Sequence, residues 1–313
     1  MPSMVEGDLS KLPACADGIL LMFTPPDDFI TTAFEIVQAY TLSSNYNFKK
    51  EAFPTDCNGI QLQNNYHSGL YVVQPQAGHH LLVYCEMRRG GGGWITIQRN
   101  TFGTKLSWNE PWQNYKTGFG SIEGDHWLGN EYIHLITKQK RYKVRFVLVN
   151  SANEEKFADY DSFSVGSESS SYQLRLGRYY GTTGDAMASG EVHATHDNMK
   201  FSTYDRDNDL ATANCASKLG GGWWFDNCRF ACLNAKNGIY WEKLCNGDCK
   251  LSEILIKPAD DCDNDNNGGG GGGDGGGGGD GGGGGGDGGG GDGGGGGGDG
   301  GGSDQPPTCP TDI

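Results

Sequence analysis

Residues 91–99 read Gly-Gly-Gly-Trp-Ile-Thr-Ile-Gln-Arg, a glycine turn that opens directly into an apolar run. Other short apolar runs follow along the chain, bounded by Gly, Asn and Asp, and each has the length of a strand. Long irregular stretches separate several of them, which is typical of an antiparallel sheet with large loops and a few short helices. The sequence therefore predicts the α+β class, with strands at 69–73, 80–84, 94–98, 142–149 and 172–176 and a helix at 130–137.

A second stretch, residues 201–209, reads Phe-Ser-Thr-Tyr-Asp-Arg-Asp-Asn-Asp. Together with the first stretch it resembles the fibrinogen C-terminal domain family. Further motifs follow that family's order at 68–71, 83–87, 108, 112, 115–120, 127–134, 214–215, 223–224 and 227–228. The resemblance runs from just before Cys57 to Pro258. It implies a twisted antiparallel sheet, short helices and a large loop-rich calcium-binding subdomain.

Members of this family include fibrinogen chains, ficolins, tachylectin-type lectins and angiopoietin-like ligands. The resemblance therefore implies a secreted protein that binds other molecules, without naming one partner, because a fold alone does not determine function.

Charge is distributed unevenly along the chain. The formal net charge is −15, but residues 259–313 contain eleven Asp and no Lys, Arg or aromatic residue. Residues 1–258 hold 28 acidic and 24 basic side chains, a net charge of −4. A nearly neutral domain without a basic cluster argues against nucleic-acid binding, and no apolar run is long enough to predict a membrane span. We divide the chain into an N-terminal segment of unknown role (1–50), a fibrinogen C-terminal-like domain (51–258) and an acidic Gly/Asp-rich tail (259–313).

The chain has ten cysteines, none in a Cys-x-x-Cys pair and none beside a histidine at metal-ligand spacing, so zinc is not indicated. They favour a disulfide-bonded, secreted protein over one with buried thiols. Residues 1–14 show no secretory signal, and no Asn-x-Ser/Thr sequon occurs. The extracellular location is therefore predicted from the cysteines and the resemblance.

Both ends of the chain differ from the domain. Residues 268–302 are thirty Gly and five Asp, and we expect a disordered tail because glycine loses the most conformational entropy on ordering. The tail would act as a tether, or it is an expanded repeat without a selected role. Asp28 is a candidate cap for an N-terminal helix. An interchain bond at Cys309 would make the protein a homo-oligomer.

Asp205, Asp207 and Asp209 alternate, which gathers the hard carboxylate oxygens that Ca²⁺ prefers. An EF-hand loop is excluded here because its sixth and twelfth positions are Leu210 and Ala216. A second match to the loop spacing, at 263–274, has no flanking helices.

The resemblance implies a different calcium site. One Ca²⁺ would be held by the carboxylates of Asp207 and Asp209 and by the main-chain carbonyls of Ala211 and Ala213, with Asp205 outside the ligand set. A solvated acidic turn without metal is the alternative.

In this family a recognition pocket lies beside the calcium, and the amide of Cys228 would point into it after a cis Asn227–Cys228 peptide bond. Lectin members bind acetyl groups of sugars and other acetylated compounds there, whereas fibrinogen binds a peptide amino terminus. Cys228 and Arg229 are the predicted ligand-binding residues. The implied disulfide bonds are Cys57–Cys85 and Cys215–Cys228.

The sequence departs from the lectin pattern around this pocket. Arg229 replaces a frequent His, and Ala235 stands where an aromatic wall is expected. Leu219 stands where fibrinogen has an Asp that meets the amine. The guanidinium of Arg229 would suit an anion such as carboxylate, sulfate or phosphate, or it is an ordinary surface Arg.

The segment after Cys228 is roughly ten residues shorter than in ficolin-like members, and it contains three additional cysteines. We expect at least one new disulfide bond in it, most simply between Cys232 and either Cys245 or Cys249, although connectivity does not follow from sequence.

Two functions follow. The first is a secreted, calcium-dependent lectin that binds carbohydrate or acetylated ligands in innate immunity or cell adhesion. The second is an adhesive extracellular-matrix protein that binds protein partners. An enzyme is not predicted, because no Gly-x-Ser-x-Gly or His-Glu-x-x-His motif occurs, and His193 and His196 lie in a polar stretch.

Overall fold

The computed structural model describes residues 53–76, 79–189, 195–228 and 230–259. The N-terminal segment, with the helix predicted from Asp28, lies outside these residues. So do Arg229, His193 and the chain from Asp260 onward, with its predicted disorder, its EF-hand-like match and Cys309. The three domain boundaries therefore stay predictions.

The described residues form short helices and a large antiparallel sheet. The α-helices are α1 (Cys57–Leu62), α2 (Trp112–Thr117), α3 (Asn130–Thr137) and α4 (Cys215–Leu219), with one 3₁₀ turn at Glu168–Ser170. The strands are β1 (Gly69–Gln76), β2 (His79–Glu86), β3 (Trp94–Thr101), β4 (Phe119–Gly120), β5 (His126–Trp127), β6 (Tyr142–Val149), β7 (Glu155–Val165), β8 (Leu174–Leu176), β9 (Tyr179–Gly181), β10 (Ala231–Cys232), β11 (Tyr240–Trp241), β12 (Cys245–Asn246) and β13 (Leu251–Pro258).

No helix among the described residues has the length and apolar character needed to cross a membrane.

The last strand of the domain lies in the middle of its main sheet. The order is β1-β2-β3-β13-β6-β7-β8, with β5 beside β3 and β9 beside β7, and every pairing is antiparallel. Ile254, Leu255 and Ile256 of β13 are fully buried, since this strand is paired on both edges and covered on both faces. A smaller three-stranded sheet, β10-β11-β12, lies in the segment that follows Cys228.

The α+β class and the helix at 130–137 are confirmed, and four of the five predicted strands are found. The fifth was predicted to begin at Tyr172 and begins at Leu174 instead. Ser171 and Tyr172 adopt left-handed backbone, with φ of 54° and 50°, which a strand does not allow. The ring of Tyr172 is fully buried and stacks on Trp112 at 5.5 Å, so tertiary packing determines the backbone here.

An aromatic cluster supports the loops that follow β9. The ring centroid of Phe201 lies 5.1 Å from that of Tyr115 and 5.2 Å from that of Trp224, and all three rings are buried. Gly222 passes so close that a Cβ there would lie 2.7 Å from the Tyr115 ring and 2.8 Å from the Phe201 ring. Only glycine fits at this position without displacing the cluster.

Candidate functional site

The acidic stretch predicted to bind calcium forms a loop between Phe201 and α4. Two contacts tie this loop to the segment 223–228. Ser202 exchanges backbone hydrogen bonds with Trp223, at 2.9 and 3.2 Å, and the Leu210 amide donates to the Asp226 carbonyl at 3.0 Å. Asn214 caps α4 by accepting a hydrogen bond from the Ser217 amide at 2.8 Å. The acidic loop therefore has fixed ends.

Asp207 and Asp209 are held side by side within this loop. The Asp209 amide donates to Oδ1 of Asp207 at 3.2 Å. Both oxygens of Asp209 accept backbone hydrogen bonds, Oδ1 from Ala211 at 2.9 Å and Oδ2 from Cys215 at 2.8 Å. Partial burial and the neighbouring Asp207 carboxylate raise the pKa of Asp209 above its ordinary value. The two negative carboxylates thus repel each other, and a bound cation would remove this repulsion.

The residues of this loop supply oxygen ligands of the kind that a hard cation prefers. Within the described residues, no Lys or Arg forms an ion pair with Asp207 or Asp209. The carbonyls of Ala211 and Ala213 accept no backbone hydrogen bond from any of the described residues. Ca²⁺ takes six to eight oxygens from carboxylates, carbonyls and water, so this donor set suits it. No group of three or more His, Cys, Asp or Glu side chains within the described ranges is placed so that it could hold a metal ion, so main-chain oxygens and water would complete the coordination.

Asp205 has a different role from its two neighbours. Its Oδ1 accepts hydrogen bonds from the amide of Trp112 at 2.9 Å and from the hydroxyl of Thr203 at 2.7 Å. This carboxylate therefore fastens the loop to the first turn of α2. The sequence predicts that Asp205 lies outside the ligand set, but it does not identify the partner of Asp205, because Trp112 is 93 residues away along the chain.

A disulfide bond joins Cys215 to Cys228, with Cα atoms 5.1 Å apart, and a second joins Cys57 to Cys85, with Cα atoms 5.5 Å apart. Both pairings are those that the resemblance implies. The expected cis peptide before Cys228 is wrong, since this bond is trans. The chain instead turns at Cys228 itself, where φ is 67° and a bridge pairs it with Asp226.

His196 holds the segment after Cys228 in place. Its ring is 1% exposed, and Nδ1 lies 2.6 Å from the Trp224 carbonyl. Its Nε2 accepts hydrogen bonds from the amides of Phe230, at 3.3 Å, and Ala231, at 3.0 Å. Burial lowers the pKa of His196 to about 4, so the neutral ring can donate from one nitrogen and accept at the other. The polar sequence around His196 predicts an exposed residue, and only the tertiary structure reveals this contact.

An additional disulfide bond is present in the segment after Cys228, as expected, but not with the predicted partner. Cys245 is bonded to Cys249, with Cα atoms 5.4 Å apart, and Cys232 is buried in β10. The four-residue spacing closes a tight turn, whereas Cys232 lies in β10 and is separated from Cys245 in β12 by the intervening strand β11.

Two depressions lie near this segment. One, of about 420 Å³, is lined by Phe230, Tyr240, Trp241 and residues 242–246 and 248. The other, of about 230 Å³, includes Ala235, which is 2% exposed and presents no aromatic wall. Leu219 packs against the core, and Arg229 lies outside the described residues. The larger depression is lined by the aromatic residues Phe230 and Tyr240 and by polar residues such as Glu242, Lys243 and Asn246, and the predicted ligand-binding residue Cys228 is not among its lining residues.

The family profile described as "Fibrinogen beta and gamma chains, C-terminal globular domain" matches residues 53–249. Among curated proteins, "Fibrinogen-like protein 1-like protein" from Gallus gallus is 48% identical over 194 residues, 61% of this chain and 68% of its own. Rat fibrinogen-like protein 1 is 42% identical, over 60% of this chain and 61% of its own, so this chain spans less than two thirds of that relative.

Solved structures of the same kind match as well. The fibrinogen-like globe domain of human ANGPTL2 has a TM-score of 0.62 at 34% identity, over 66% of this chain and 100% of that domain. A lamprey fibrin D-dimer, complexed with the peptide ligand Gly-His-Arg-Pro-amide, has a TM-score of 0.62 at 29% identity, over 74% of this chain and 84% of its own. With this fold, these disulfide bonds and a profile match across most of the described residues, the chain belongs to the fibrinogen C-terminal domain family.

Proposed function

We propose that this chain is a secreted, calcium-binding recognition protein whose lectin-like site takes carbohydrate or acetylated ligands, in innate immunity or cell adhesion. It would bind its ligands rather than transform them. The observation that supports this most is the pair Asp207 and Asp209, two adjacent carboxylates that no basic side chain of the described residues neutralises.

In this proposal Ca²⁺ has an organising role. It would be held by Asp207, Asp209 and the carbonyls of Ala211 and Ala213, and it would neutralise the two carboxylates. The contacts of Leu210 with Asp226 and of Cys215 with Cys228 connect this loop to the segment that turns at Cys228. Cation binding would then stiffen the surface on which the ligand rests.

The ligand would occupy the 420 Å³ depression that begins after Cys228. Phe230 and Tyr240 supply aromatic surface, and Glu242, Lys243 and Asn246 supply polar groups. A sugar ring with an acetyl group needs both, because its apolar face packs on aromatic rings while its hydroxyls and amide form hydrogen bonds. Arg229, next to this surface in sequence, would add a positive charge.

Retention on immobilised N-acetylglucosamine, with and without chelator, tests this proposal. We expect retention in calcium, release by chelator, and no retention for Asp207→Asn/Asp209→Asn. A matched control is Glu123→Gln/Glu154→Gln, which changes net charge equally at two exposed carboxylates outside the loop. The proposal is contradicted if the wild type stays bound in chelator and the Asp207→Asn/Asp209→Asn variant is retained equally well.

A second candidate function is adhesion through protein partners. Three observations favour it: Ala235 supplies no aromatic wall, a Cys245–Cys249 disulfide closes a turn in the segment after Cys228, and the lamprey relative is complexed with a peptide. Immobilised Gly-His-Arg-Pro-amide is the corresponding probe. Retention on this peptide without retention on N-acetylglucosamine would favour the second candidate over the first.

A further inference from the structure

Arg206 lies between Asp205 and Asp207 in the sequence, yet its side chain turns away from the proposed calcium ligands. An arginine beside two carboxylates is expected to pair with them, because the guanidinium fork matches a carboxylate. In the described residues it pairs with neither Asp207 nor Asp209. Something else must hold it.

Trp112 and Glu168 provide that alternative partner. The guanidinium carbon of Arg206 lies 3.9 Å from the centroid of a Trp112 ring, and NH1 lies 3.7 Å from Oε1 of Glu168. A guanidinium over an indole face is attracted to the ring's electron density, and the acid adds a charge of opposite sign. Both contacts lie at the protein surface, where each is worth little alone.

The two partners are themselves held rigidly. Oε1 of Glu168 accepts a hydrogen bond from Nε1 of Trp112 at 2.8 Å, and Oε2 accepts one from Lys116 at 2.6 Å. These hydrogen bonds lower the pKa of Glu168, so it is ionised at neutral pH. Trp112 is 7% exposed and stacks on Tyr172. A preorganised receptor of this kind binds a flexible side chain at a reduced entropic cost.

From this geometry we propose that Trp112 and Glu168 withhold the Arg206 guanidinium from Asp207 and Asp209, and that this sequestration sets the calcium affinity of the loop. The inference rests on the calcium site proposed above. A released Arg206 would neutralise the carboxylates and compete with the cation. Glu168 and Trp112 are then positioning residues, since they act on calcium only through Arg206.

Calcium affinity measured by titration calorimetry in a double-mutant cycle tests this inference. We expect Glu168→Gln to weaken calcium binding about fivefold, since exposed ion pairs contribute up to ~1 kcal/mol and tenfold corresponds to about 1.4 kcal/mol. Arg206→Gln should bind calcium at least as tightly as the wild type. In the Arg206→Gln background, Glu168→Gln should change the affinity by less than about twofold, because no competitor remains.

The cycle separates sequestration from a general charge effect. If Glu168 acts through space on the cation, Glu168→Gln weakens binding by the same factor with and without Arg206, and the proposal is overturned. Trp112→Phe, which keeps a ring but loses the Nε1 donor, should weaken binding in the same Arg206-dependent way and serves if Glu168→Gln folds poorly. A wild type that binds no calcium refutes the calcium site itself, whereas calcium binding with an additive cycle refutes only the sequestration.

Discussion

Lowering the pH should weaken the anchoring of the segment after Cys228 through His196. In the folded domain this ring is neutral, because Nε2 accepts hydrogen bonds from Phe230 and Ala231 and the ring is buried. Protonation would place an N–H against two amide donors. The free energy of unfolding should therefore fall as the proton concentration rises.

The magnitude follows from the pKa of His196, which burial lowers from 6.5 to about 4. The unfolded chain binds the proton more tightly than the folded domain does. The contribution of His196 to the free energy of unfolding is therefore fully present above pH 6.5 and is lost as the pH falls from 6.5 to about 4. Each unit of pKa difference corresponds to 1.36 kcal/mol, so this one ring contributes about 3 kcal/mol to the change. Below pH 4 no further loss from this group is expected.

Urea unfolding of the wild type and of His196→Gln, measured in chelator at pH values from 7 to 4, checks this expectation. Glutamine can donate and accept as neutral histidine does but does not titrate in this range. The wild-type advantage over the variant should shrink by about 3 kcal/mol between pH 7 and pH 4. The buried His126 is present in both proteins, so its contribution cancels. Parallel stability curves would show that His196 does not titrate as argued, and the reasoning would fail.

Three further predictions follow from buried contacts. Asp56→Asn should cost about 3 kcal/mol at pH 7, because this fully buried carboxylate accepts hydrogen bonds from Tyr142 at 2.8 Å and Gly59 at 2.9 Å and pairs with Lys140 at 2.8 Å. Burial alone would raise the pKa of Asp56, but these partners lower it below 3.8. The loss of unfolding free energy caused by Asp56→Asn should therefore shrink as the pH falls through and below that value. A loss at pH 2 equal to that at pH 7 would contradict this. Cys245→Ser/Cys249→Ser should lower the free energy of unfolding by about 2 kcal/mol, as a short closed loop implies. It should leave the calcium affinity within about twofold of the wild type. Loss of the calcium isotherm in this variant would contradict that independence. Gly222→Ala should cost about 1–3 kcal/mol through contact with the Tyr115 and Phe201 rings, whereas Gly184→Ala, where a Cβ meets no atom within 4 Å, should be nearly neutral in the same thermal melt.

Local patterns in the sequence predict the apolar strands β1, β2, β3 and β6, because runs of apolar residues bounded by turn formers indicate them, but they do not predict the longer and more polar β7. The order of those strands does not follow from local patterns. β13 lies between β3 and β6, strands that precede it by about 150 and 110 residues in the chain, and no local pattern identifies these two partners. Tyr172 shows why local sequence does not determine the backbone everywhere. Its stacking on Trp112 accompanies a left-handed backbone in a stretch whose sequence is typical of a strand.

The candidate site divides in the same way. Asp207 and Asp209 stand close together in sequence, so their juxtaposition could be predicted from spacing. The receptor for Arg206 could not, because Trp112 and Glu168 are distant in sequence and carry no motif. The burial of His196 and the partner of Cys245 also depend on how separate segments meet.

Calcium titration of the whole chain by isothermal calorimetry tests the central proposal most directly. We predict one calcium ion bound per chain by the wild type and by the control Glu123→Gln/Glu154→Gln. For Asp207→Asn/Asp209→Asn we predict no binding isotherm, with the Cys215–Cys228 disulfide intact by mass spectrometry. An isotherm that is absent from the folded wild type, or one that survives unchanged in the Asp207→Asn/Asp209→Asn variant, would contradict the assignment of calcium to this loop.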